Sequence, residues 1–169
     1  PFIYQGQELG MENHVFSSID EIDDISTKEE YRRCLEAGLT EDEALQAVSH
    51  YSRDNARTPV QWDDSPQAGF TASTPWIAVN PNYTEINAKA ETADPDSVFH
   101  YYKKLISLRK EHPIIVYGKY EPMLEDNEEL FVYTREMDGE KLLVVCSFCD
   151  HETHVAIPAE FTGASCLIS

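Results

Sequence analysis

The stretch Ser52-Arg53-Asp54-Asn55-Ala56-Arg57-Thr58-Pro59-Val60-Gln61-Trp62-Asp63-Asp64 is the most informative part of this 169-residue chain. It combines two guanidinium groups with carboxylates, amides and an indole. Pro59 stops a helix from continuing through the stretch, because proline lacks an N–H and restricts the residue before it. We therefore predict a structured loop, the kind of segment in which a rigid scaffold often presents binding groups. A capped helix end with solvated charges is an equal alternative on the residues alone.

Two helices are predicted immediately before this loop. Thr27 and Thr40 are each followed three residues later by a glutamate, and this capping-box pattern is typical of helix starts. Gly38 is expected to end the first helix. The second helix carries apolar residues at helical spacing, namely Ala44, Leu45, Ala47, Val48 and Tyr51. This hairpin is predicted to deliver Arg53 at or near a helix end.

The segment after the loop, residues 64–95, is predicted to be largely irregular and to line a site or wrap a surface. Within it, Trp76 is expected to anchor the loop by burial, with stacking on a sugar as the less favoured alternative. Residues 98–111 are predicted to form one continuous helix that ends before Pro113.

The pattern changes to short strands after Pro113. The predicted strands are residues 114–117, 130–134, 142–148 and 154–157, with a tight Asp138-Gly139 turn between the second and the third. We expect an antiparallel sheet here. Near the other end of the chain, residues 2–4 are predicted to form a short buried strand that ends at Gly6.

The charge of the chain restricts its partners. Thirteen basic and 31 acidic side chains give a net charge of −18, and such a surface repels nucleic acid and anionic lipid. It suits a neutral sugar better than a phosphorylated one, although a local pair of arginines could overcome the overall field. No apolar run is long enough to cross a membrane. Binding to nucleic acid or to a membrane is therefore not expected.

The four cysteines do not form the pattern of a secreted disulfide scaffold. They are Cys34, Cys146, Cys149 and Cys166, and a reduced cytoplasmic protein is expected. Cys146 and Cys149, followed by His151 and His154, resemble a metal motif. However, Cys146 falls inside a predicted strand, where residues three apart point to opposite faces. We expect neither a metal site nor a cofactor.

Three segments together resemble one family. Residues 53–62 closely resemble the SRDNARTPMQW segment of the α-glucosidase group of the α-amylase family, which includes oligo-1,6-glucosidases, dextran glucosidases and trehalose-6-phosphate hydrolases. Residues 1–11 resemble the last barrel strand of these enzymes. Segments 68–70, 74–77 and 79–83 resemble their loop before the final barrel helix.

This resemblance implies a fold that combines α/β and all-β parts. Residues 1–112 would form the last β/α unit of a TIM (β/α)8 barrel, including its substrate-binding loop. Residues 113–169 would form an incomplete antiparallel β-sandwich. The chain is therefore expected to be a piece of a longer polypeptide, and the missing N-terminal part of that polypeptide would be its partner.

The resemblance also implies a function. The full-length protein would be a retaining α-glucosidase acting on short oligosaccharides such as isomaltose, with trehalose-6-phosphate hydrolase as an alternative. The resemblance assigns substrate binding to Arg53, which would grip the glucose at the cleaved bond, whereas for Arg57 a structural salt bridge is at least as favoured. The catalytic carboxylates of the family lie on earlier barrel strands, so no catalytic residue is expected here. Ser26 stands near a position where many members carry glutamate, and this difference leaves the preferred linkage open.

Two other classes of protein are possible. A non-catalytic relative, such as a transporter-associated heavy chain, would keep the fold without hydrolysis, but the intact Arg53 loop and the lack of a membrane anchor argue against it. An independent carbohydrate-binding sandwich is disfavoured because the first two-thirds of the chain are predicted to be helical.

Overall fold

The computed structural model describes residues 2–169 and divides the chain between Tyr102 and Lys103 into two units, each with its own internal packing. The α-helices are α1 (Ile25–Glu36), α2 (Glu41–Ser49), α3 (Ala88–Ala93), α4 (Val98–Glu111) and α5 (Ile114–Tyr117). The strands are β1 (Lys119–Met123), β2 (Leu130–Met137) and β3 (Glu140–Ser147). Short 3-10 helices cover Gln7–Leu9, Ile19–Glu21, Arg53–Arg57, Pro66–Gly69, Pro81–Thr84 and Ala159–Phe161. None of the helices described is both long and apolar enough to span a bilayer.

The helical hairpin predicted before the loop is present as α1 and α2. Thr40 and Glu43 form the predicted capping box at the start of α2. The capping box predicted at Thr27 is wrong, because α1 begins two residues before Thr27. The carboxylate of Asp24 caps α1 instead, by accepting the Thr27 N–H. An acidic N-cap satisfies a free N–H and also favours the positive end of the helix.

A glycine ends α1 as predicted. Gly38 has a φ of +98°, a left-handed conformation that other residues adopt only at a cost. The N–H groups of Gly38 and Leu39 donate to the carbonyls of Leu35 and Cys34, respectively. These two bonds form a Schellman motif, which reverses the chain and allows α2 to pack against α1.

The strand predicted for residues 2–4 is not formed. These residues have no regular secondary structure, and Phe2 is fully exposed. A strand needs a neighbouring strand to accept its backbone hydrogen bonds, and no strand pairs with residues 2–4 within the part of the chain that is described. Pro1, the first residue of the segment 1–11 that resembles the last barrel strand, lies outside the described residues.

The core of the first unit consists of small groups of apolar side chains taken from many segments. Ile22 and Ile77 are each about 1% exposed, and each such burial contributes roughly 1.5–3 kcal/mol to stability. The other buried apolar residues of this unit are Leu9, Phe16, Ala44, Val48 and Ala68. Residues 64–95 are mainly irregular as predicted, although α3 was not foreseen.

Helix α4 is continuous over the predicted residues. The hydroxyl of Ser97 accepts the backbone N–H of His100 at its start, and Pro113 follows its end. None of its residues is fully buried. Four apolar side chains of the helix remain about 40% exposed or more, namely Val98, Tyr101, Leu105 and Ile106.

The second unit contains a three-stranded antiparallel sheet in the order β1-β2-β3. Strands β2 and β3 are joined by the predicted Asp138-Gly139 turn, in which both residues have positive φ, at +53° and +85°. This geometry matches the twist of the flanking strands. Leu130 and Val132 are buried on one face of β2. The antiparallel arrangement after residue 113 is confirmed, whereas the second sheet of a sandwich stays a prediction.

Two of the four predicted strands are wrong. Residues 114–117 form helix α5, because Pro113 stands at its start and its carbonyl accepts the N–H groups of Val116 and Tyr117. Residues 154–157 have no regular secondary structure and pair with no strand of the described chain. They nevertheless pack beside the sheet, where residues 155–158 help to line a cavity of about 30 Å³. Strand β1 was not predicted.

Candidate functional site

Asp54 organises the loop formed by residues 52–64. Its side chain is fully buried, and one carboxylate oxygen accepts the backbone N–H groups of Asp23 and Asp24. The other oxygen accepts the guanidinium of Arg57, including a bond of 3.0 Å from Nε. A buried carboxylate is tolerated only where such partners compensate for lost hydration. Asp54 therefore ties the loop to the start of the helical hairpin.

Neighbouring polar residues of the loop are also occupied by structural contacts. The hydroxyl of Ser52 accepts the Asp54 N–H and begins the Arg53–Arg57 helical turn. The side chain of Asn55 accepts the backbone N–H of His14 at 3.1 Å and donates to the carbonyl of Ser49 at 2.8 Å. These bonds fix the backbone of the turn on both sides.

The end of the loop is anchored by an amide and a proline rather than by its tryptophan. Gln61 is fully buried and donates to the side chain of Asn82 at 3.1 Å, and Pro59 is buried as well. Trp62, in contrast, is 53% exposed. Trp76 is 66% exposed, so the expected burial of this side chain is wrong. Both indoles are accessible to solvent.

Arg57 is engaged within the chain. Its hydrogen bonds with Asp54 raise the pKa of its guanidinium further above the usual range. The guanidinium also lies over the ring of Trp76, 5.2 Å from the ring centre, a distance typical of a cation–π contact. Arg57 thus has the geometry expected of a structural salt bridge.

Arg53 has the opposite environment. It lies in the same helical turn, it is exposed, and its guanidinium makes no hydrogen bond or ion pair among residues 2–169. The adjacent residues Ser52 and Asp54 are both buried. The backbone at Arg53 is therefore held in place while its five N–H donors are free to bind another group.

His14 is a buried titratable group close to the turn. Burial lowers the pKa of its imidazole, and the negative charge of Glu21 opposes that effect. Its ring packs edge-on against Phe16, with ring centres 4.8 Å apart. A low pKa keeps this histidine neutral at neutral pH, which suits a packing role.

Two open grooves flank the helical hairpin. One, of about 410 Å³, is lined by residues that include Asp24, Ser26 and Glu30. The other, of about 450 Å³, lies between residues 13–16 and α2. Ser26 therefore lies at an accessible surface, but neither groove includes Arg53 or Arg57.

The loop was predicted from the sequence, but the residues that hold it in place were not. One signal could have suggested the role of Asp54, namely an aspartate three residues before an arginine. In a helical turn, side chains at this spacing are neighbours and can form an ion pair. The partners of Asp54 at residues 23 and 24 leave no local signal in the sequence.

Comparisons with known proteins agree with the resemblance found in the sequence. The family model described as "Alpha amylase, catalytic domain" matches residues 1–118. An oligo-1,6-glucosidase from Parageobacillus thermoglucosidasius is 53% identical over 159 residues, which cover 94% of this chain and 28% of that protein.

Solved structures show the same similarity. A trehalose-6-phosphate hydrolase from Bacillus licheniformis aligns with a TM-score of 0.88 at 49% identity, covering 95% of this chain and 29% of that one. An isomaltulose synthase from Erwinia rhapontici, solved with sucrose, aligns with a TM-score of 0.86 at 47% identity and similar coverage (94% and 29%). The chain thus spans less than a third of the length of these relatives.

Proposed function

Because this chain belongs to the α-amylase family, we propose that the full-length protein is a retaining α-glucosidase. It hydrolyses terminal α-glucosidic bonds, mainly α-1,6 bonds, of short oligosaccharides such as isomaltose. Residues 1–112 contribute the last β/α unit of the catalytic barrel and its substrate-binding loop, and residues 113–169 contribute part of a C-terminal β-sandwich. The presence of oligo-1,6-glucosidases among the relatives supports this choice of bond.

The observation that carries the proposal is the contrast between the two arginines of the loop. Arg53 is exposed on a fixed turn without a partner in the described chain, so it binds ring hydroxyls of the glucose at the cleaved bond. A planar guanidinium offers donors in fixed directions, and such positioning favours the distorted sugar of the transition state. Arg57 is held by Asp54 and supports the turn.

The same contrast favours a neutral substrate over trehalose 6-phosphate. Binding a phosphate against a net charge of −18 calls for a local group of free cations. In the loop, one of the two guanidinium groups is already neutralised by a buried carboxylate. Arg53 alone is well suited to hydroxyl groups and less so to a dianion.

The experiment that tests this role is a kinetic study of Arg53→Lys in the full-length protein with isomaltose. Lysine keeps the charge but loses the forked donors, so kcat/KM is expected to fall at least about a hundredfold, or ~2.7 kcal/mol of transition-state stabilisation. The melting temperature should stay unchanged, because the guanidinium of Arg53 makes no hydrogen bond or ion pair with residues 2–169. Arg33→Lys, on the exposed face of α1, is the matched control.

The outcomes of this experiment separate binding from structure. A large drop in melting temperature with normal kinetics in the folded fraction would remove Arg53 from the site. Faster hydrolysis of trehalose 6-phosphate than of isomaltose, or rearrangement of sucrose without hydrolysis, would contradict the proposed substrate. Retention is checked by NMR, which should detect the α-anomer of glucose as the first product.

The isolated 169-residue chain is predicted not to hydrolyse isomaltose. We assign no catalytic residue to it, because the two carboxylates that a retaining mechanism needs, about 5 Å apart, belong in this family to earlier strands. The assay uses purified chain free of host enzymes. Measurable turnover would show that the catalytic pair lies within these residues after all.

A further inference from the structure

Three potential metal ligands meet at one end of the sheet. The register pairs Leu130 of β2 with Ser147 of β3, and the N–H of Phe148 donates to the carbonyl of Glu129 at 2.9 Å. Residues just before β2 therefore lie beside residues just after β3. This arrangement brings together the carboxylate of Glu129, the thiol of Cys149 and the imidazole of His151.

The three ligand atoms of this cluster lie near enough to one another to approach a single metal ion. One ligand atom from each of Glu129, Cys149 and His151 lies within 4.8 Å of the other two. The carboxylate and the imidazole Nε2 are 3.2 Å apart. Zinc–ligand bonds of 2.0–2.3 Å at tetrahedral angles place neighbouring ligand atoms about 3.3–3.6 Å apart. The carboxylate and the imidazole already have this spacing, and an inward movement of the sulfur would complete three corners of a tetrahedron.

The surrounding groups orient the ligands. Thr153 donates its hydroxyl to the second oxygen of Glu129 at 3.1 Å, and the hydroxyl of Ser147 lies 3.1 Å from the sulfur of Cys149. Asp150 lies 3.4 Å from Nδ1 of His151, on the side opposite Glu129. A carboxylate at the outer nitrogen of an imidazole is the usual support for a histidine that binds a metal.

Both ring nitrogens of His151 lie beside carboxylates. Nδ1 is 3.4 Å from Asp150, and Nε2 is 3.2 Å from Glu129. The space beside Nε2 is therefore bordered by an imidazole nitrogen and a carboxylate oxygen, which are both atoms that bind zinc.

We propose that Glu129, Cys149 and His151 form a zinc-binding site that links the segment after β3 to the start of β2, with water as the fourth ligand. A ligand set of thiolate, imidazole and carboxylate fits Zn²⁺, whereas Mg²⁺ and Ca²⁺ prefer sets made only of oxygen. The proposal replaces our expectation of no metal site. Cys146, the first cysteine of the apparent sequence motif, lies within β3 and outside this cluster.

A zinc titration of the full-length protein, freed of metal beforehand, tests this site. Binding is followed by competition with a chromogenic chelator, and Co²⁺ is used in parallel because a thiolate ligand adds a sulfur-to-metal charge-transfer band. Cys149→Ser and His151→Gln should each remove one equivalent of tightly bound zinc, and Cys149→Ser should also remove that band. Asp150→Asn should weaken binding about tenfold.

Matched controls come from the same chain. Cys166→Ser removes an exposed thiol and His154→Gln removes a nearby imidazole, and both residues lie outside the cluster. Both controls should bind zinc as the parent does. Zinc should raise the melting temperature of the parent and of the two controls, but not that of Cys149→Ser or His151→Gln. Equal stoichiometry in parent and Cys149→Ser, or equal loss in His154→Gln, would overturn the proposal. Circular dichroism of the metal-free variants separates either result from misfolding.

Discussion

The turn at residues 52–58 and helix α4 differ in how far their side chains are buried by the rest of the chain. The turn is polar, yet Ser52, Asp54 and Thr58 are each at most 6% exposed. Helix α4 has an apolar stripe, yet none of its residues is buried. The more hydrophobic segment is thus the more exposed of the two.

This difference shows that hydrophobic character alone does not decide burial in a given chain. The partners of the turn are present, because Asp54 reaches the backbone of residues 23 and 24 and the guanidinium of Arg57. The stripe of α4 needs a broad apolar surface. We propose that the other strands and helices of the barrel supply it, which makes the stripe an interface within the full-length protein.

Replacing Asp54 should have the largest effect on stability. Asp54→Ala leaves two buried backbone N–H groups without an acceptor and Arg57 without its partner, so the free energy of unfolding should fall by about 3 kcal/mol. Chemical denaturation of the full-length protein measures the change. The control is Asp64→Ala, an exposed aspartate paired with Lys89, which should change stability by less than about 0.5 kcal/mol. Equal effects of the two variants would refute the central role of Asp54.

A substitution in α4 tests the other half of the comparison. Leu105 is 39% exposed in this chain, but the proposed barrel covers it in the full-length protein. Leu105→Gln should therefore lower the free energy of unfolding by about 2 kcal/mol. Lys104→Gln, at the neighbouring exposed position, should change it by less than about 0.5 kcal/mol. A small effect at Leu105 would mean that the stripe stays in contact with solvent.

Asp24 should give the smallest effect, with a distinctive dependence on pH. Hydrogen bonds from Thr27 hold the pKa of Asp24 below its usual range, with a smaller contribution from the positive charge of Arg53. Asp24→Ala should cost about 1 kcal/mol at neutral pH through loss of the helix cap. The folded state binds the proton less readily than the unfolded chain, so the contribution of Asp24 is complete above about pH 4 and is lost as the pH falls further.

Denaturation curves of parent and Asp24→Ala from neutral pH to pH 3 check this prediction. The difference in unfolding free energy between the two proteins should narrow as the solution becomes acidic. A constant difference would show that the Asp24 side chain acts through packing rather than through its charge.

Features that depend on neighbouring residues were predictable from the sequence. The capping box at Thr40, the Gly38 helix end and the Asp138-Gly139 turn all appear where expected. Each rests on hydrogen bonds or backbone angles within a few positions of the residue concerned. Helix α4 belongs to the same class, because its periodicity and its boundary at Pro113 are local.

Two of the strand predictions were wrong for different reasons: one segment forms a local helical turn, and the other lacks a distant partner. Residues 114–117 have the β-branched composition of a strand, but the local hydrogen bonds to Pro113 and the burial of Ile114 favour a helical turn. Residues 2–4 look like a buried strand but lack a pairing neighbour in the described chain.

The candidate site also contains parts that were predicted from the sequence and parts that were not. Sequence reasoning located the loop and preferred Arg53 to Arg57 for substrate, and these two assignments stay predictions. It did not identify Asp54 as the anchor, because the bonds from Asp23 and Asp24 span about thirty positions. The cluster of Glu129, Cys149 and His151 was missed for a similar reason, since it requires the pairing of β2 with β3.

The bonds from residues 23 and 24 to Asp54 also join the two ends of the helical hairpin. The segment before α1 and the segment after α2 are therefore held together independently of the residues between them. The cost of closing such a loop rises only slowly with its length. Shortening or lengthening α1 and α2 should therefore alter the hairpin and its groove beside Ser26 without moving Arg53.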